Sequence, residues 1–251
     1  MIKKIQIFLW GILLSSPCIT NAQHSTKGLL SIAFNHYVDN QILNLDSTIY
    51  KNSLDQTFTI GNFKYYISNI HLTNANLPTG QAGGKEFISK EYFLINEDEE
   101  KSKKIILNNI PNGTYTSISF TIGVDSTHNC SGAQSGALDP ANAMFWAWNS
   151  GYIFLKLEGK SSFSKAPSNI FEYHIGGYKS PSNAIRAITL KFEQPLIIEN
   201  NKTAALNIKV NAAEVLKTPT DIDFTKMPTV TDSKNATMIA DNYIDMFSIE
   251  K

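Results

Sequence analysis

Along residues 28–38 apolar and polar side chains alternate, so that Leu30, Ile32, Phe34, His36 and Val38 share one face of an extended segment while Ser31, Ala33, Asn35 and Tyr37 share the other. A period of two suits a strand with one buried face and does not suit a helix. Stretches rich in β-branched and aromatic residues recur at short spacing, over 63–73, 91–95, 104–107, 114–124, 151–157, 170–175, 187–192 and 204–210. Pro111, Asn112 and Gly113 form a strong turn signal, and 159–167 reads as a loop. Over 236–247, Met238, Ile239, Asn242, Tyr243 and Met246 fall at helical spacing, which predicts one short amphipathic helix. The expected fold is all-β, an antiparallel β-sandwich with a short C-terminal helix, in one domain over 23–251.

Residues 1–22 have the layout of an export signal, with Lys3 and Lys4, an apolar stretch over 5–14, and Thr20, Asn21 and Ala22 before a cleavage point near Ala22/Gln23. The expected location is the periplasm or the exterior. Pro17 precedes Cys18 where lipid attachment needs a small residue, which argues against a lipoprotein. No stretch reaches the roughly 20 apolar residues of a transmembrane helix. Cleavage would remove Cys18 and leave Cys130 without an internal disulfide partner, so stability must come from the core.

The chain has 22 basic and 22 acidic residues, and its single arginine is Arg186. Such a balance offers no basic surface for nucleic acid or an anionic membrane. No serine stands in a nucleophile elbow, and no cysteine and histidine come with an orienting acid. The glycines of 79–85 match neither nucleotide-binding pattern and read as a hairpin tip or insertion. The alternating charges of 97–104 read as a solvated connection without function. Catalysis is not expected.

Metal binding is the chemistry these residues support best. His36 interrupts an apolar face and must be paired, buried neutral or bound to metal. His174 is followed by Gly176 and Gly177, which leave space beside the ring or simply make a turn. His71 is a further candidate, and so are His128 and Cys130, two residues apart without the repeated spacing of a zinc ribbon. Met144, Trp146 and Trp148 fall on one face of an extended run, where they line either a core or a site. Asp125 and Asp139 read as turn formers.

An ordered series of segments resembles the MbnP-like family. It comprises Phe34-Asn35-His36, residues 63–70, Ile122-Gly123-Val124-Asp125, Gly136-Ala137-Leu138-Asp139-Pro140, the run 144–152, and Tyr173-His174-Ile175-Gly176. The resemblance implies an exported β-sandwich that binds copper, as Cu(I) or Cu(II), through histidine, with a tryptophan that some relatives oxidise to kynurenine by means of a dihaem partner of the cytochrome c peroxidase type. Carried over by motif, His36 and His174 are the metal candidates and Trp146 or Trp148 the modifiable aromatic; by donor chemistry Met144 could add a weak axial sulfur. The chain departs from methanotroph members where Cys130 follows Asn129 and where Gly177-Tyr178 follows the histidine-glycine segment. Copper handling, storage or delivery is therefore the leading expectation. The alternative is an exported β-sandwich interaction module that has lost its metal.

Overall fold

The computed structural model describes residues 27–74, 86–146 and 151–250. The expected leader, the glycine-rich insertion over 79–85 and Trp148 lie outside those residues. Nine principal strands follow in order: β1 (Lys27–Val38), β2 (Thr57–Asn74), β3 (Phe93–Asn96), β4 (Lys104–Pro111), β5 (Gly113–Ile122), β6 (Gly151–Lys160), β7 (Ile170–Gly176), β8 (Arg186–Ile198) and β9 (Thr203–Asn211). A short helix α1 (Ser126–Cys130) follows β5, and α2 (Ser233–Asn242) precedes a last strand β10 (Phe247–Ile249).

Two sheets form the sandwich. In the smaller, the order runs β10, β9, β1, with β4 on the far side of β1; β1 and β9 are parallel and the other two pairs antiparallel. In the larger, the order is β8, β5, β2, β6, β7 and then the two-residue strand Thr229–Val230, which joins β7 in parallel. The remaining neighbours along that path are antiparallel. The expected β-sandwich with one short C-terminal helix is what the chain forms, with these two parallel pairings added.

Alternation in β1 delivers Leu30, Ile32, Phe34, His36 and Val38 to the space between the sheets, where all are buried. Tyr65 and Phe63 of β2 meet them from the other side, with Tyr65 edge-on to Phe34 and to Phe247 of β10. The segment 124–146 meets the larger sheet through Ala137 and Leu138, whose carbonyls accept from Tyr66 and Tyr152, and ends in Phe145–Trp146, which pairs antiparallel with the start of β6. Tyr66 of β2 meets Tyr152 of β6 edge to face and donates to the Ala137 carbonyl at 2.9 Å, while Leu138, Met144 and Trp146 are buried alongside.

Several boundaries differ from the sequence reading, three of them for a clear physical reason. β2 starts at Thr57 because Phe58 and Ile60 continue the buried row past Gly61. Gly159 lies inside β6 rather than in a loop; a Cβ there would stand 1.9 Å from the Thr59 carbonyl oxygen, so only glycine permits the approach of β2. β8 runs past Pro195 through an irregularity between Lys191 and Leu196, tolerable on an edge strand that lacks a second partner to receive the missing N–H. Asn242, the one polar member of the predicted helical stripe, is fully buried; its amide donates to the Val215 and Thr220 carbonyls at 3.2 and 2.7 Å.

Candidate metal centre

The rows of the larger sheet place His174. Lys64 of β2, Lys156 of β6 and His174 of β7 stand side by side, and the next row is Asn62, Glu158 and Glu172. Since neighbours along a strand point to opposite faces, and Tyr65 and Phe63 point into the sandwich, these two rows project from the outer face. Glu158 and Glu172 are opposite one another across β6 and β7, and His174 is two residues beyond Glu172 on the same side. One donor atom from each of the three lies within 4.8 Å of the others, and all three residues are half-buried.

Glu158 is the hub of the cluster. Its Oε1 accepts from His174 Nε2 at 2.6 Å and its Oε2 from the Asn62 amide at 2.8 Å. The His174 hydrogen bond holds the Glu158 carboxyl below its ordinary range against the opposing effect of burial, with Asn62 and Lys156 adding to it, so the group is a carboxylate. Lys156 is buried, which disfavours its charged form and lowers the amine's affinity for a proton. Its Nζ donates to the Ala143 carbonyl at 2.6 Å and stays 3.9 Å from Glu158 Oε1. That bond ties the segment bearing Met144 and Trp146 to the row containing His174. Gly176 completes the junction, since a Cβ there would come within 2.8 Å of the Trp146 ring and 2.5 Å of the Tyr152 carbonyl oxygen. Glycine lets the indole lie against the strand two residues past His174.

His36 has a different setting. Its side chain is 1% exposed, and both ring nitrogens are engaged, Nδ1 with Glu97 Oε2 at 2.5 Å and Nε2 with the Tyr65 hydroxyl at 2.8 Å. A carboxylate only accepts, so Nδ1–H donates to Glu97 and Nε2 accepts from Tyr65. Burial lowers the affinity of the ring for a proton, and Glu97 only partly offsets this. Glu97 is in turn 3.3 Å from Lys103 Nζ. The expected functionless connection over 97–104 therefore contains the carboxylate that satisfies a core imidazole. Convergence of His36 and His174 on one ion is corrected by the geometry, because the larger sheet lies between them: His36 touches Tyr65 on its inner face and His174 stands on the outer.

The remaining candidates are dispersed. His71 pairs with Glu86 at 3.2 Å, both partly exposed. His128 belongs to α1, where Asp125 caps the helix by accepting from the His128 amide at 3.0 Å and also meets the imidazole Nδ1 at 2.9 Å, with the Tyr92 hydroxyl donating to the same carboxylate. Cys130 is exposed, with Sγ 3.2 Å from the Tyr178 hydroxyl. Met144 is fully buried within the apolar core. Glu158 and Glu172 were missed in the sequence because the pairing of 156–158 with 172–174 was not visible there.

Imidazole nitrogen and carboxylate oxygen are both donors that divalent copper accepts, and a spread of 4.8 Å needs only modest side-chain rotation to close on one ion with bonds of about 2 Å. The residues present fit.

No curated protein matches the sequence. Among solved structures, MbnP from Methylosinus trichosporium is similar at a TM-score of 0.47 and 14% identity, with 78% of this chain and 80% of that chain covered. The profile of the family described as MbnP matches residues 27–237, from the start of β1 into α2. A match across that span shows that the chain belongs to the MbnP family.

Proposed function

We propose that this chain is an exported copper-binding protein that stores, delivers or otherwise handles copper as cargo, without catalytic turnover. Family membership over 27–237 links it to copper-associated function. The observation that carries the reading for this molecule is the half-buried imidazole of His174, set beside two carboxylates on a sheet face next to Trp146. His174 is the anchoring ligand. His36 belongs to the core and leaves copper affinity unchanged when it is replaced by glutamine. The leader over 1–22 supports export to the periplasm.

Oxidation of Trp146 or Trp148 to kynurenine by a dihaem partner of the cytochrome c peroxidase type belongs to the same proposal. At Trp146 it would add an aryl amine and a ketone beside this face. Intact mass of the mature chain from its native host, with that partner present, tests the modification; an unmodified chain ends this part of the proposal.

The test of copper binding is titration of the mature chain against a competing chelator, repeated with His174→Ala and His36→Gln. Loss in the first variant alone supports the assignment. No binding by the parent favours the alternative, an exported interaction module that kept the fold.

A further inference from the structure

We infer that the outer-face cluster of Glu158, Glu172 and His174 is a three-residue site for a divalent ion, and that copper is held there as Cu(II) in preference to Cu(I). The inference rests on the copper-handling reading and adds two ligands and an oxidation state to it.

The donors carry the first step. One imidazole and two carboxylates make a set of one borderline and two hard ligands, which suits Cu(II) and Zn(II); Cu(I) prefers thiolate, thioether and several imidazoles. Soft donors are elsewhere among the described residues: Met144 is sealed in the core, Cys130 is on α1 beside Tyr178, and His36 is behind the larger sheet with both nitrogens occupied. At this cluster Cu(I) would find one imidazole.

The charge pattern carries the second step. Glu158 and Glu172 are directly opposite across an antiparallel pair, an arrangement that costs stability unless positive charge lies close by. Lys156, the nearest ammonium, donates to the Ala143 carbonyl and remains 3.9 Å from Glu158 Oε1. His174 supplies the closer contact at 2.6 Å through Nε2. A dication in that position would take over the role of the Nε2 proton, be bound by the same nitrogen and oxygen, and neutralise the carboxylate opposite. Asn62, donating to Glu158 Oε2 at 2.8 Å, holds the hub carboxylate in orientation from outside the ligand set.

Local packing supplies the third. The ligands project from adjacent paired strands, so their backbones are fixed by the β6–β7 ladder, and only side-chain torsions remain to be set on binding.

The test is parallel competition titration of the mature chain with Cu(II), with Zn(II), and with Cu(I) under anaerobic reduction, together with electron paramagnetic resonance of the Cu(II) form. The expected result is tighter Cu(II) than Cu(I) binding and a spectrum with hyperfine coupling from a single imidazole nitrogen. Glu172→Gln should weaken Cu(II) by about tenfold or more while leaving Cu(I) unchanged, and His174→Ala should abolish the nitrogen coupling. Circular dichroism of each variant establishes that the sandwich is intact. Tighter Cu(I) than Cu(II) binding, indifferent to Glu158→Gln and Glu172→Gln, overturns the inference while the copper-handling reading stands. Failure to bind either ion overturns both.

Discussion

His36 and His174 are both imidazoles in strands, and each meets a glutamate at about hydrogen-bond distance, 2.5 Å in one case and 2.6 Å in the other. Their surroundings make them opposites. His36 faces the interior, between Phe63 and Tyr65, with its second nitrogen taken by the Tyr65 hydroxyl. His174 faces outward and has a second carboxylate, Glu172, within reach of the first. An imidazole whose two nitrogens are both used is a strut of the core. His174 stands on the outer face with one carboxylate as its partner and a second close by, where the proposed ion would bind.

The largest effect expected from this contrast is on stability at His36. His36→Ala leaves the Glu97 carboxylate and the Tyr65 hydroxyl without their partner in a desolvated place, which should cost about 2–4 kcal/mol, read as a lowered urea midpoint. A loss below about 1 kcal/mol would dissolve the contrast. His174→Ala should do the reverse, weakening Cu(II) by about a hundredfold, equivalent to about 3 kcal/mol, with the urea midpoint of the metal-free protein nearly unchanged. Retained affinity there would move the site elsewhere.

Gly176→Ala sharpens the comparison at the border of the site. The new methyl meets the Trp146 ring and the Tyr152 carbonyl, both in well-packed places, so about 1–3 kcal/mol of stability should be lost and the tryptophan emission should shift. A variant as stable as the parent would show that the indole has room to move.

A smaller effect follows from pH. The ordinary imidazole value is 6.5, and burial sets His36 below it in the folded chain. The unfolded chain therefore takes up the proton first, so the contribution is complete above 6.5 and declines as pH falls from there through the lowered folded value. Urea midpoints of the parent should fall across this interval, and those of His36→Gln should fall less. Equal slopes would remove His36 from the acid limb. The smallest change belongs to His71→Ala, where the partly exposed contact with Glu86 should contribute under about 1 kcal/mol and copper affinity should stay the same.

Much of the fold was legible because the relevant signals are local. The alternation in 28–38 announced both β1 and its buried face, and Pro111-Asn112-Gly113 marked the turn between β4 and β5. Local signals also misled where tertiary contact dominates. Gly159 read as loop material but is the only residue that fits beneath β2, and Glu97 read as solvent-facing while reaching back to a histidine 61 positions earlier. For the site, the sequence nominated His174 through the glycines that follow it and the family motif, and gave no means of choosing its neighbours. Glu172 is on the same strand, but Glu158, the hub, comes from β6, 16 positions away, at a register set by the whole β6–β7 ladder.

From its residues alone the chain is legible as a set of half-buried strands with histidine foremost among its candidate metal ligands, since composition and period-two patterning act residue by residue. Which histidine serves the core and which stands beside two carboxylates was settled by the folded arrangement. The reason is that strand pairing fixes the side of the sheet on which each imidazole emerges and which acid waits there, and a shift of one residue would have reversed both.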